Sequence, residues 1–152
     1  MRRLAALPLL ALTLAGCTSA DAAEPHSADE MIAIQLTEVQ DWQAGWSASG
    51  CADAESWNQI CGVQLLEASF VSSTASLAFD RTLYPDLIDD LTDDERNAML
   101  PAINAADAAL QETRAWQHID CQESPTVCLG SGAATAEHLG ELATELDALA
   151  LP

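Results

Sequence analysis

Lysine is missing from this chain, and five arginines stand against 24 acidic residues. Two of the arginines, Arg2 and Arg3, lie at the very start. Downstream of Cys17, Arg81, Arg96 and Arg114 face all 24 carboxylates, three positive charges against 24 negative, for a net of −21. A surface of that sign repels phosphate backbones and anionic lipid headgroups, which argues against nucleic-acid binding. It maintains solubility and favours cations or a basic partner. Catalytic signatures are missing as well. There is no Gly-x-Ser-x-Gly elbow and no phosphate-binding loop. No Glu-x-x-His pair of the di-iron bundles occurs, and no Cys-x-x-Cys pair opens a zinc site. Carboxylates are so plentiful that no two single themselves out as acid and base. The expectation is a protein that is not an enzyme.

Strand-forming residues are sparse, alanine and leucine dominate, and the pattern is that of helices. Residues 18–27 have no apolar periodicity and read as a flexible tether. Ser27 and Glu30 have capping-box spacing and open a first helix over about 28–47, with Ile32, Leu36, Val39, Gln43 and Trp46 on one face and Trp42 on its flank. Ser49-Gly50 ends it. A second capping box, Ser56 to Gln59, places the next helix from about Trp57, although Asp53 is an alternative start. Its expected core stripe is Ile60, Val63, Leu66, Phe70 and Leu77. Tyr84-Pro85 marks a boundary.

The aspartate-rich link 85–94 fails as a calcium loop. In the register that starts at Asp90, Glu95 and Pro101 occupy the positions that need glycine and a carboxylate. It reads as a solvated acidic turn. Thr92 and Glu95 cap a third helix running to about Ile119, with Met99, Ile103, Ala106, Leu110 and Thr113 at helical spacing; Pro101 inside it predicts a kink near Leu100, or a short helix followed by a longer one. Residues 121–132, with Pro125, Gly130 and Gly132, read as a loop. A fourth helix over about 133–150 carries Leu139, Leu142, Leu146 and Leu149. Four helices with mostly short links imply an all-α, up-and-down four-helix bundle over residues 28–152.

The first seventeen residues, MRRLAALPLLALTLAGC, have another character. A positive start, an uncharged run from Leu4 to Leu14 and a small-residue end follow the pattern of a secretory signal peptide. The run is too short to span about 30 Å of hydrocarbon. Leu14-Ala15-Gly16-Cys17 resembles the lipobox of bacterial lipoproteins. That resemblance implies cleavage after residue 16, a diacylglyceryl anchor on Cys17, and residence at the extracytoplasmic face of a membrane in the bacterial envelope.

Outside the cytoplasm, Cys51, Cys61, Cys121 and Cys128 are expected to form disulfides, and four thiols allow three pairings. A second helix that starts at Trp57 lets Cys51 reach Cys61 and leaves Cys121 for Cys128. A start near Asp53 puts about 12 Å of helix between Cys51 and Cys61 and favours cross-linking of the two connections. Either way the four cysteines gather at the end of the bundle remote from the start of the first helix.

Two functional readings follow. The first is a lipid-anchored acidic module that binds a protein or envelope partner and needs no cofactor. The second is a small bundle holding a divalent metal or other ligand through His118, His138 and Glu141, with Glu145 on the same helical side. His26 falls in the tether. The tryptophan pair Trp42/Trp46 and Trp116 read as core packing.

Overall fold

A computed structural model describes residue 25 and residues 27–150. The signal peptide, Cys17, most of the tether and His26 lie outside the described residues. Four long helices, α1 (Ala28–Ala48), α2 (Gln59–Ala78), α4 (Asp93–Trp116) and α5 (Pro125–Leu149), and the short α3 (Pro85–Asp89) make an all-α bundle. Packing closes a ring: α1 lies on α2, α2 on α4, α4 on α5 and α5 on α1.

Local chemistry sets the ends. Ser27 accepts the Glu30 amide at the start of α1. At the other end, Gly50 adopts φ +75°, the Gly50 amide bonds to Ser47 O and the Cys51 amide to Trp46 O, a Schellman closure. α4 carries the full capping box: Thr92 accepts the Glu95 amide, and Glu95 accepts the Thr92 amide. Hydrogen bonds from the Thr92 hydroxyl and amide hold the Glu95 carboxyl below its ordinary value. α4 runs continuously through Pro101.

Three elements differ from expectation. The cap of α2 is Asn58, whose side chain accepts the Cys61 amide, and not Ser56. The acidic link winds one turn of helix, α3. Arg81 pairs with Asp89, and Arg96 pairs with Asp93 and donates to the Ile88 and Leu91 carbonyls, so two arginines tie this turn down. The expected loop 121–132 is helical from Pro125. Proline at the first helical position already has a helical φ and loses no amide bond there. Gly132 stays in the helix because α5 must approach α1 there: a Cβ on Gly132 would stand 2.9 Å from Cη2 of Trp46.

The core contains Met31, Val39, Trp42, Trp46, Leu65, Met99, Leu139, Leu142 and Leu146 among others. Trp42 and Trp46 stack with centroids 5.5 Å apart. The indole Nε1 of Trp42 donates to the Gln64 carbonyl at 2.8 Å and links α1 to α2.

One expectation is inverted. Ile60, Val63, Leu66, Phe70 and Leu77, read as the core stripe of α2, are 47–66% exposed. The buried face is Cys61, Leu65, Ala68, Ser72, Ala75 and Ala78. Two physical causes set this phase. Cys61 is bridged to Cys51, which is itself buried just past the end of α1, and this bond draws that face of α2 inward. α2 packs on α4, whose buried residues are likewise mostly small, Ala102, Ala105, Ala106 and Ala109, and small residues at a contact let helices approach.

Candidate functional site

Outward-turned α2 is the most distinctive surface of the molecule. It has one charged residue, Glu67, in 20 positions. By length and mean hydropathy it is the one helix among the described residues long and apolar enough to cross a membrane. Yet it contributes Leu65 and Ala68 to the core, so its apolar excess is the outer face of a bundle helix. At 100° per residue, Val63, Leu66, Phe70 and Leu77 fall within about 60° of one another. The ridge from Ile60 to Leu77 is about 26 Å long.

At one end the ridge runs into a cleft of about 1050 Å³ between the two connections. Trp57, Gly62, Val63 and Leu66 form one wall, and Trp116 and Ile119 the other. The Trp57 and Trp116 rings stand 6.1 Å apart, tilted by 48°. The Trp116 indole Nε1 is buried without a hydrogen-bond partner. One disulfide contributes Cys121 to the lining, and Cys61 of the other is the chain neighbour of Gly62 in the wall. Cys51 is paired with Cys61 and Cys121 with Cys128, with Cα separations of 5.5 and 5.6 Å. The local pairing therefore holds, because α2 starts at Gln59 and residues 51–58 are free to fold back. Both bridges sit at the end of α1 remote from Ala28, about 30 Å away along the helix.

The histidines are not brought together. His138 Nδ1 lies 3.2 Å from Glu141 Oε2, and both line a shallow hollow with Glu145 and Pro101. His118 lies exposed beyond the end of α4, about ten residues past the part of that helix that faces His138. No group of three His, Cys, Asp or Glu side chains able to hold a metal occurs among the described residues. The proposed set His118, His138 and Glu141 thus reduces to one surface pair.

Sequence reasoning missed the α2 ridge by placing it inside. One signal for it was present. Nine residues of helix turn through about 180°, so an inward Cys61 requires an outward Phe70. Comparison with known protein families, curated proteins and solved structures finds no match for this chain.

Proposed function

We propose that this protein is a lipid-anchored, non-enzymatic module of the bacterial envelope that docks a basic, apolar-ridged protein segment on α2 and the adjoining cleft. The observation that carries the reading is the exposed ridge Val63, Leu66, Phe70 and Leu77 on a chain whose remaining surface is strongly acidic. An exposed apolar patch such as the one from Ile60 to Phe70, with Leu77 standing beyond Ser73 and Thr74, is a mark of an interaction site. An amphipathic helix would lay its apolar face along the ridge, while flanking lysines or arginines met the surrounding carboxylates. A second copy of this acidic chain would meet like charge instead. An anchor on Cys17 would place α1 with its start towards the membrane, so the cleft at the disulfide end would face away from it.

Site-specific photocrosslinking of the full chain in cells tests this reading. A photoreactive residue at Phe70 or Leu66 is expected to give one hetero-adduct, weakened by added salt, whereas one at Asp147 on α5 gives none. Adducts with a second copy only, or no adduct along α2, would overturn it.

A further inference from the structure

A second cleft lies at the opposite end of the same helix pair, where α1 begins and α2 ends. It has a volume of about 350 Å³, and Met31, Ile34, Leu77, Ala78, Leu83 and Tyr84 supply most of its lining. That size and apolar character fall within the range of small-molecule sites. Gln35, Glu38, Thr74 and Tyr84 bring polar groups to the wall, and two of them bear on a ligand. Gln35 is 6% exposed, and its Oε1 is buried with no hydrogen-bond partner. Buried polar groups are nearly always paired, and an exception calls for an explanation. The second group is Glu38, whose Oε2 accepts from the Thr74 hydroxyl at 3.1 Å across the α1–α2 seam.

We propose that this cleft binds an amphiphile with a single aliphatic chain and a cationic head bearing N–H donors, an alkylamine in chemical class. The aliphatic chain would lie on Ile34, Leu77 and Leu83. The ammonium would donate one hydrogen bond to Gln35 Oε1 and face the Glu38 carboxylate. A carboxylate-headed amphiphile has no donor for Gln35 and is repelled by Glu38 and by the charge of the whole chain. The site shares no lining residue with the cleft at the disulfide end and only Leu77 with the α2 ridge, and its argument from Gln35 and Glu38 does not use the partner-docking reading.

Photolabelling tests the assignment. The full chain in native membrane vesicles is treated with a diazirine-bearing dodecylamine below its micellar concentration, and labelled peptides are mapped. Saturable labelling is expected within 31–38 and 77–84, competed by dodecylamine but not by dodecanoate or by ethylamine. Dodecyltrimethylammonium, a cation without an N–H donor, should compete at least about tenfold more weakly. Gln35→Leu retains the apolar wall and removes the acceptor, and should raise the half-saturating concentration about tenfold or more. Leu77→Lys, at an exposed position, should abolish labelling while Leu66→Ser at the other end leaves it unchanged. Labelling spread along Val63 and Phe70, equal competition by dodecanoate, or full labelling of Gln35→Leu would overturn the proposal.

Discussion

Gly130 and Gly132 are two residues apart in the same helix, yet an added methyl meets different surroundings at each. At Gly130 no atom lies within 4 Å of an added Cβ, whereas at Gly132 the Trp46 ring blocks it. Alanine at either position gains up to about 1 kcal/mol of helix propensity. At Gly132 the Trp46 indole must also shift, and overpacking of this kind costs about 1–3 kcal/mol. Denaturant unfolding should therefore show Gly130→Ala more stable than the parent chain, and Gly132→Ala about 1–3 kcal/mol less stable than Gly130→Ala. Glu95 sets a second prediction at this scale. Hydrogen bonds from Thr92 lower its folded value below 4.5, so the folded state binds fewer protons there than the unfolded chain. Its contribution is complete above 4.5 and disappears as pH falls through the lower folded value. A pH series of melting temperatures should show the gap between the parent chain and Glu95→Gln fully open near neutrality and closing as pH falls below 4.5. The comparison with Glu95→Gln isolates this carboxylate from the other 23, whose protonation relieves mutual repulsion at the same time.

At the scale of the element, α2 shows how a helix with two usable faces chooses one. Its larger residues form the outward stripe and its smaller ones the inward stripe, so hydrophobicity alone selects the wrong side. Leu65 is fully buried and Phe70 is 66% exposed. Leu65→Ala should cost about 2–5 kcal/mol. Phe70→Ser should change stability by no more than about 0.5 kcal/mol, because serine and phenylalanine have similar helix propensities and no core contact is lost. Equilibrium unfolding of the two variants checks the phase directly, since the reverse order would mean that Phe70 faces inward. The first, third and fourth long helices were more legible. Ser27, Thr92 and the leucines Leu139, Leu142 and Leu146 act where capping-box spacing and a three-four repeat place them. What escaped was the start of α5. Pro125, Gly130 and Gly132 are individually loop-like, and their compatibility with a helix depends on the first-turn position of the proline and on the ring of Trp46 across the interface.

For the whole molecule, the two disulfides fasten one end of the bundle while the other is held by side-chain packing and hydrogen bonds. They close loops with sequence separations of 10 and 7 residues. Loop-closure entropy for such lengths gives about 2–3 kcal/mol each. Reduction, or a Cys51→Ser/Cys61→Ser variant, should lower unfolding free energy by that amount per bridge. Opening the 51–61 bridge should also loosen the rotational phase of α2. Hydrogen exchange would then show the amides of 59–66 losing protection before those of α5.

Several properties of this protein follow from the one-dimensional chain. The excess of carboxylates sets its charge, cap residues and helical periodicity set four long helices, and short links make neighbours in sequence neighbours in space. Those are consequences of composition and of interactions spanning three or four residues. The rotation of α2, the close approach of α5 to α1 at Gly132 and the separation of His118 from His138 were decided by tertiary structure. Each depends on a group far away in the chain: Cys51 for Cys61, Trp46 for Gly132, and the packing of α5 on the middle of α4 for His138. A helix can bury only the face that fits its neighbours, and here close contact of alanine-rich surfaces and a covalent bridge outweigh the larger apolar side chains. The apolar ridge on which the proposed function rests is what that choice leaves outside.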